Sequence, residues 1–423
     1  MKRGDDPAVR EVASEDELQQ AVLEARRRGQ RIRAVGSGGS KSDVTSVPGE
    51  AVRLATPKRL ADVADGIVRA PAGITTAELL NLLRNERLTL PTVGEWKNAT
   101  LAGALATATH GGSARHGITA TSVRAFRIVT GTGELKRVGR DDPDFTHLAV
   151  SLGAFGIISE VELACDEHFS LEMTTDVVPF EKYVADPVAQ ESRVEFHASI
   201  WVPAARRVIR FGADRIPTPS ETLPRRTRFG QWTSMARFVA RRLGFHGIVS
   251  NRFFGGVARG DCADILSPLD VPPRVARLRK KLNEVRRRRA AELAVPASRA
   301  AEALARFDPF FRKHDSTLNN PIGLRMSASD DFALSPCQGR DTLWMDIFFN
   351  ASEPFEAGLS DLAAELDARC HWGKTLALSP EALRDRYPQW EEFRAARDRF
   401  DPDQVFANEF TDTLGLTNRA ESA

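Results

Sequence analysis

The distribution of apolar and polar residues predicts a helix near the start of the chain and a short strand directly after it. Residues 14–30 (SEDELQQAVLEARRRGQ) have Ser14 and Glu17 at the spacing of a capping box, which marks a helix N-terminus. Arginines fill the last turn, and Gly29 ends the helix. Residues 31–35 then form a short strand that leads into the small-residue loop GSGGS.

Short apolar runs bounded by turn residues predict further strands over the next 130 positions. These strands are predicted at 52–54, 67–70, 123–129, 136–138 and 157–163. Between them, residues 76–87 predict a helix with Thr76 as a possible N-cap. The small residues of 101–109 predict a helix that packs closely against a flat surface.

The pattern changes after about Glu167, which predicts a second domain. Strand-like runs in 171–211 are followed by a turn-rich stretch and by a basic, aromatic segment at 225–256. Residues 274–294 predict a long helix, because they are rich in arginine, leucine and alanine. A strand is predicted at 343–349, and a helix at 354–369.

The composition is that of an ordinary globular protein with two or three domains. Of 423 residues, 42% are hydrophobic and 27% charged, and no apolar run has the length of a membrane span. The N-terminus lacks an apolar signal segment, and the four cysteines are far apart, without a paired metal-ligand motif. We therefore expect a cytoplasmic protein without a metal site or membrane contact; the oligomeric state is left open.

The positive charge is concentrated in the middle of the chain. Residues 201–300 contain 22 Lys/Arg and 7 Asp/Glu, a local excess of +15 in a chain whose net charge is +2. This asymmetry indicates either an anionic partner or arginine-rich helices that only solvate their outer faces. No groove-reading motif accompanies the basic run, so we expect no nucleic-acid partner.

Two loops of small residues carry the candidate chemistry. Residues 36–43 (GSGGSKSD) and 100–117 (TLAGALATATHGGSARHG) each follow or flank an apolar run. Because glycine has no Cβ, such loops let backbone N–H groups approach a phosphate or a planar ring closely. The pair of loops indicates a large phosphate-bearing cofactor, and therefore redox chemistry rather than simple hydrolysis.

Five motifs in order resemble the FAD-linked oxidases of the vanillyl-alcohol oxidase superfamily, in the branch of sugar-lactone and alditol oxidases. The first is GSGGSKSD, the second LAGALATATHGG followed by HG, and the third SLGAFGIISEVEL. Near the C-terminus, residues 371–374 (HWGK) resemble the HWGK motif of the branch. The ending from Tyr387-Pro388 to DPDQVFANEF resembles its last conserved segment.

The resemblance implies an α+β fold with a two-lobed PCMH-type FAD-binding domain and an antiparallel-sheet substrate, or cap, domain. It places the FAD-binding domain at 1–167 and the cap at 168–370. The segment 371–423 would return to the FAD-binding domain. FAD would be wrapped at its pyrophosphate by the first loop, flanked at its isoalloxazine by the second, and approached near its adenine by backbone groups of Ile157 and Ile158.

The resemblance thus implies a set of cofactor-binding residues drawn from all the motifs. They are Gly36, Ser37, Gly38, Gly39, Ser40, Ser42, Asp43, Thr100, Gly103, Thr107, Thr109, His110, Gly111, His116, Gly117, Ile157, Ile158, Lys374 and Asn408. We expect His110, His116 and His371 to act as hydrogen-bonding scaffold more than as bases, and Ser113 is offset by one position from the loop serine of the family.

The first departure from the family concerns the covalent link to the flavin. Gly39 stands where members of this branch commonly carry the histidine that bonds to FAD, and residues 100–120 contain no cysteine for a second link. We therefore predict non-covalent FAD, and a flavin that is a somewhat weaker oxidant than in these relatives.

The second departure concerns the catalytic cleft. Where the family has Glu-x-Arg, this chain has Gly323-Leu324-Arg325, so the arginine remains and the carboxylate does not. Arg325 and Lys374 are candidates for stabilising charge on the reduced flavin. Asp346 stands where the relatives carry a histidine; it could serve as a base or, as we slightly favour, pair with Arg325.

The resemblance implies an FAD-dependent oxidoreductase that oxidises a CH–OH carbon by hydride transfer to flavin N5. The substrate would be a small molecule, a sugar-like compound, a lactone or a more elaborate metabolite, and possible anionic groups on it would suit the basic cap. Two alternatives stay open: a redox-neutral flavoenzyme of the epimerase or lyase type, and a non-catalytic flavin-binding relic.

Overall fold

The computed structural model describes residues 9–47, 49–55, 57–216, 256–262 and 288–417. Eighteen strands are found in these ranges: β1 Val9–Val12, β2 Ile32–Ala34, β3 Glu50–Leu54, β4 Asp62–Ala64, β5 Ile67–Pro71, β6 Leu88–Thr89, β7 Val123–Thr130, β8 Leu135–Gly139, β9 Gly156–Ala164, β10 Asp166–Glu167, β11 Ser170–Pro179, β12 Phe196–Val202, β13 Arg207–Ile216, β14 Gly256–Asp261, β15 Arg288–Pro296, β16 Ile322–Ser327, β17 Thr342–Asn350 and β18 Arg369–Cys370.

Eleven α-helices are found in the same ranges: α1 Glu15–Arg27, α2 Thr76–Asn85, α3 Leu101–Ala106, α4 Phe145–Leu148, α5 Phe180–Val184, α6 Pro187–Glu191, α7 Ala300–Lys313, α8 Glu353–Glu365, α9 Pro380–Arg384, α10 Trp390–Phe400 and α11 Glu409–Thr413. None of these helices has the length and hydropathy needed to cross a membrane.

The N-terminal lobe contains a parallel sheet and an antiparallel sheet. The parallel sheet has the order β1-β3-β2, and the antiparallel sheet has the order β4-β5-β9-β7-β8. The buried side of α1 packs into a small core that includes Val52, Val129 and Phe406. The Ser14 side chain accepts a hydrogen bond from the Glu17 N–H, so the predicted N-terminus of this helix is confirmed.

The next helix, α2, begins at the predicted residue, Thr76, but its N-cap lies one residue earlier than the sequence pattern suggested. Thr75, rather than Thr76, is its N-cap, because the Thr75 hydroxyl accepts the Glu78 N–H at 3.2 Å. The Glu78 carboxylate in turn accepts the Thr75 N–H at 2.9 Å, which completes a capping box. The prediction of Thr76 as N-cap is therefore wrong, since its own side chain contacts the Ala99 carbonyl instead.

The cap is an eight-stranded antiparallel sheet of order β14-β11-β13-β12-β16-β17-β15-β18. Helices cover one face of it: the Trp201 ring stacks on Phe180 at 4.8 Å and meets Phe311 edge-on at 5.4 Å. Directly paired residues of an antiparallel sheet share a face. The register Glu292↔Asp346↔Gly323 therefore places these three residues on the other face, which adjoins the N-terminal lobe.

The long helix predicted at 274–294 is wrong where the structure describes the chain. From Arg288 onward the chain is strand β15, which pairs with β17 over nine residues. Alternation explains this result: Ala291, Leu293 and Val295 point to the helix-covered face, and Glu292 points to the opposite one. Residues 263–287, and with them the rest of that prediction, lie outside the described residues, as does 225–255 of the basic segment.

The C-terminal segment packs against the N-terminal lobe. Phe393 and Phe400, both on α10, lie edge-on against Phe155 at 4.9 and 5.4 Å between ring centroids. Asp401 accepts the backbone N–H groups of Val405 and Phe406 and so shapes the turn that leads to α11. Asn408, directly after this turn, contacts Val44 and Ser46, so the end of the chain lies beside the segment that follows β2.

Candidate active site

The first glycine loop presents a row of free backbone donors. Residues 36–39 are exposed, and no N–H group of residues 36–40 has a hydrogen-bond partner among the described residues. Beyond them the loop is fixed to the HWGK segment: the Lys41 N–H donates to the Gly373 carbonyl at 2.7 Å, and the Ser42 hydroxyl to the Trp372 carbonyl at 2.5 Å. Such a row of oriented N–H groups suits an anionic pyrophosphate.

Two buried polar side chains, Arg33 and Asn408, hold the segment that directly follows this loop. The Arg33 guanidinium donates to the carbonyls of Val44, Leu152, Gly153 and Phe406 at 2.7–3.0 Å. Burial lowers the pKa of Arg33 to about 10.

Asn408 is the second support. Its amide donates to the carbonyls of Val44 and Ser46 at 3.1 and 2.9 Å, and it also caps α11. Asn408 is fully buried. In this structure Asn408 therefore holds residues 44–46, which directly follow the first glycine loop. Its role at the cofactor stays a prediction.

Glycines let the second loop approach its neighbours closely. An ideal Cβ on Gly36 would overlap the Thr100 hydroxyl, and one on Gly103 would lie 2.8 Å from the same atom. The Thr107 hydroxyl donates to the Gly103 carbonyl at 2.9 Å. A Cβ on Gly112 would overlap the His197 carbonyl of β12, so the second loop also touches the cap. The two loops therefore meet beside the cap sheet.

The other residues predicted for this loop and for the adenine lie in well-packed surroundings. The Thr109 N–H donates to Ala104, and Gly117 packs against Thr121. Ile157 and Ile158 are buried on β9, where they pair with Val129 and Ile128 of β7.

The two histidines of the second loop have different surroundings. His110 stacks on Trp344 with 3.8 Å between ring centroids, and its Nε2 lies 3.2 Å from Glu292 Oε1. His116 lies instead beside Glu195 at 3.0 Å and stacks on Phe196. The neighbouring Ser113 hydroxyl donates to the Glu195 carbonyl at 2.5 Å. His110 therefore contacts the charged group around Glu292. His116 and Ser113 instead connect the second loop to Glu195 of the cap.

Five charged side chains meet on the cap face beside the loops. Lys374 Nζ lies 3.0 Å from Asp346 Oδ1 and 3.5 Å from Glu292 Oε2. Arg325 forms a salt bridge with Glu95. The favoured pairing of Asp346 with Arg325 is thus corrected: Lys374 is the partner of Asp346, because β15 and β17 place Glu292 and Asp346 side by side within reach of its ammonium group.

Burial and charge act in opposite directions on these groups. Burial alone would lower the pKa of Lys374, but Asp346 and Glu292 raise it above its usual value. Burial would likewise raise the pKa of Glu292, yet Lys374 and His110 hold it well below its usual range. For Asp346 burial prevails over the attraction of Lys374, and its pKa is raised. The arrangement keeps a cation in place beside a carboxyl group that binds a proton more readily than an ordinary aspartate.

His371 is a neutral member of this centre. Its Nδ1 accepts the Gly373 N–H at 2.9 Å, and burial lowers its pKa to about 3. Ligand atoms of His110, Glu292 and His371 lie within 4.8 Å of one another. However, His371 Nδ1 is engaged by Gly373, and Glu292 contacts both His110 and Lys374. Each of these residues therefore has a hydrogen-bonding or ionic partner among the described residues.

Sequence reasoning missed Glu95 and Glu292. Glu292 lies within the run ELAVP, whose alternation with buried neighbours was a usable signal for an inward carboxylate. Glu95 follows Gly94 in an extended loop and meets a residue 230 positions away, a contact that no local pattern reveals.

Comparison with known proteins shows which family the chain belongs to. Residues 7–139 match the FAD-binding domain model, and residues 161–414 match the model of D-arabinono-1,4-lactone oxidase. The chain belongs to the D-arabinono-1,4-lactone oxidase family. It is 30% identical to an L-gulono-1,4-lactone dehydrogenase of Mycobacterium tuberculosis over 96% of this chain and 95% of that protein. It is also 23% identical to an L-gulonolactone oxidase of Bos taurus over 95% of this chain and 93% of that protein.

Solved structures of cholesterol oxidases share the fold. A solvent-stable cholesterol oxidase superposes with a TM-score of 0.74 at 19% identity, covering 96% of this chain and 95% of that chain. A cholesterol oxidase from B. sterolicum gives 0.72 at 15% identity, covering 96% and 93%. The predicted α+β architecture is confirmed, and the chain is an FAD-dependent oxidoreductase acting on CH–OH groups. The free donors of the first loop and the two converging glycine loops fit an FAD molecule.

Proposed function

We propose that this enzyme oxidises one CH–OH carbon of a sugar lactone or a closely related polyhydroxylated compound, with FAD bound non-covalently. FAD supplies the acceptor for the hydride at its N5 atom. The observation that carries the proposal is the meeting of Arg325, Lys374 and their carboxylate partners on the cap face beside both glycine loops. The names of the relatives point to 1,4-lactones of sugar acids as the first compounds to test.

The two cations suit a reaction that places negative charge on the cofactor. Fixed positive groups in a buried site stabilise developing charge without reorganisation. Carboxylates raise the pKa of both Lys374 and Arg325 against the effect of burial, so both stay charged at every working pH.

Asp346 is the candidate acceptor for the proton of the substrate hydroxyl. Burial raises its pKa, which brings a carboxylate closer to the range useful for a general base. Its contact with Lys374 at 3.0 Å fixes its orientation. His371, with a pKa of about 3, stays neutral and supports the turn that carries Lys374.

Non-covalent attachment is supported by the surroundings of position 39. Gly39 has no side chain to form a bond, and an ideal Cβ there would lie 3.0 Å from Trp96 Nε1. No cysteine is present between residues 100 and 120. Acid precipitation of the yellow protein should therefore leave the flavin in the supernatant. Flavin absorbance that stays with the washed pellet would contradict this part of the proposal.

An anaerobic bleaching assay tests the reaction itself. The oxidised protein is mixed with aldonolactones, polyols and phosphorylated sugars, and the loss of flavin absorbance near 450 nm is followed. We expect bleaching by a lactone or polyol, and one equivalent of oxidised product for each flavin reduced. Turnover without net bleaching or acceptor consumption would indicate redox-neutral chemistry instead.

A further inference from the structure

Glu95 is a carboxylate of the N-terminal lobe that reaches the cap face and has one oxygen left over. Its Oε2 forms the salt bridge with Arg325, while its Oε1 is buried and has no hydrogen-bond partner among the described residues. We propose that Glu95 is a substrate-binding residue, and that Oε1 accepts a hydrogen bond from a substrate hydroxyl. The proposal rests on the proposed function, since it assigns a contact to the same polyhydroxylated substrate.

The loop that carries Glu95 is fixed on both sides. An ideal Cβ on Gly94 would overlap the Thr109 methyl group, so the glycine lets this loop run close to the second loop. After Glu95, the Lys97 carbonyl accepts the Ala77 N–H at 2.8 Å, at the first turn of α2. The backbone around Glu95 is therefore held in place, and Arg325 is the partner that the structure gives its carboxylate.

Burying Glu95 Oε1 without a hydrogen-bond donor is energetically costly. A buried acceptor without a donor loses its solvation and gains nothing in return, and the cost is greater for a charged group. Natural structures contain few such groups, and each calls for a specific cause. A donor brought by the substrate would satisfy Oε1 and recover the lost interaction in the complex.

The cap sheet carries a glycine beside these charged groups. Gly323 pairs directly with Asp346 on the same face, and at this position the sheet carries no side chain. An ideal Cβ on Gly323 would lie 3.2 Å from Asp346 Cβ and 3.8 Å from an Arg325 guanidinium nitrogen. Asp346 and Arg325 therefore lie close together on this face, and Arg325 connects it to Glu95 through their salt bridge.

The charge of the site selects the chemical class of the group. Arg325 and Lys374 are already paired with Glu95, Asp346 and Glu292, so the described part of the site has more carboxylates than cations. A carboxylate oxygen accepts hydrogen bonds and repels anions. The group that meets Glu95 is therefore a neutral hydroxyl donor, and a phosphate or carboxylate on the substrate must lie elsewhere.

The test combines Glu95→Gln with substrates that lack one hydroxyl. The aldonolactone that bleaches the wild-type flavin fastest is compared with its single-deoxy analogues in anaerobic stopped-flow. For one analogue we expect the wild type to lose about 10- to 100-fold in kcat/KM, the range of a hydrogen bond to a charged group. Glu95→Gln should lose a similar factor on the full substrate and discriminate little against that analogue.

Two further variants separate recognition from support of the fold. The exposed Glu86→Gln is the matched control and should behave as the wild type, including its FAD content and melting temperature. Glu95→Asp keeps the charge but shortens the side chain by one methylene, and it should lose part of the same hydroxyl preference. If Glu95→Gln folds poorly, the discrimination between deoxy analogues is measured on Glu95→Asp instead.

Each outcome has one interpretation. If the wild type is bleached by a lactone and both Glu95 variants keep its full discrimination between deoxy analogues, the role of Glu95 is wrong and the proposed function stands. If no lactone or polyol bleaches the wild-type flavin, the proposed function is overturned and the Glu95 proposal falls with it. Loss of discrimination at one hydroxyl, with normal FAD content, supports both.

Discussion

The N-terminal lobe and the cap contribute different kinds of chemical group to the site. The N-terminal lobe contributes mainly backbone: free N–H groups at 36–40 and glycines that permit close approach to Thr100 and the cap. The cap contributes side chains, with Asp346, Glu292 and Arg325 on one face of its sheet. Backbone contacts depend on chain geometry and on few side-chain identities, whereas the charged face can change its chemistry through single substitutions. We therefore expect substitutions of the loop glycines to change FAD binding, and substitutions of the charged residues on the cap face to change the chemistry.

The strongest test of the cap half of this comparison is Lys374→Met. Removing the ammonium takes away a cation beside the reacting centre and leaves Asp346 and Glu292 without their shared partner. We expect the rate of flavin bleaching by substrate to fall by about 10²- to 10³-fold, as for loss of one preorganised electrostatic group. Binding of FAD should be much less affected, which is measured as the ratio of flavin to protein absorbance.

The exposed Lys313→Met on α7 is the matched control and should bleach at the wild-type rate. A Lys374→Met protein that is loaded with flavin and bleaches within about threefold of the wild type would remove Lys374 from the proposed machinery. The comparison of the two lobes would then lose its main charged element.

Substitution of Gly36 tests the contribution of the N-terminal lobe, which is the binding of FAD by its glycine loops. Gly36→Ala would bring a methyl group into the Thr100 hydroxyl, a side chain that can rotate away at moderate cost. We expect FAD affinity to fall by about tenfold, measured by fluorescence titration of the deflavinated protein, with little change in the bleaching rate of loaded enzyme. The double variant Gly36→Ala with Thr100→Ala removes the obstacle and should recover most of the affinity. Failure of that rescue would show that the close approach to Thr100 is not what Gly36 provides.

The same contrast explains what the sequence could predict. The glycine loops and the capping box of α1 follow from local patterns, because neighbouring residues determine turns and helix ends. Strand β15 was mistaken for a helix, because its arginine-rich flank has high helix propensity and its pairing with β17 is decided by residues about fifty positions away.

The partners of the charged residues could not be predicted for a related reason. Arg33 holds four carbonyls that come from three distant segments, and Arg325 meets Glu95 across the two lobes. Residue types alone slightly favour a pairing of Asp346 with Arg325. Only the register shows that Asp346 faces Glu292 and Gly323, and that Lys374 reaches it from the HWGK turn.

The smallest expected effect concerns the segment that joins the lobes after β16. Asp330 accepts the Phe332 N–H and the Ser335 hydroxyl at 3.1 and 2.6 Å, and burial raises its pKa to about 7. Three residues on, the Ala333 N–H donates to the Thr146 carbonyl of the N-terminal lobe. This turn therefore belongs to the cap in sequence and to both lobes in its contacts.

A carboxyl group whose pKa is higher in the folded than in the unfolded state binds its proton more tightly when folded. Its contribution to stability is complete below about pH 4 and is lost as the pH rises through about 7. Asp330→Asn keeps an acceptor for the Phe332 N–H, places an amide donor beside the Ser335 oxygen in place of the accepting oxygen, and does not titrate. The melting temperature of this variant relative to the wild type should therefore increase by a few degrees between pH 5 and pH 8. The exposed Asp361→Asn should show a constant difference over the same range, and a constant difference for Asp330→Asn would mean that the lobes meet at a turn whose charge state does not change with pH.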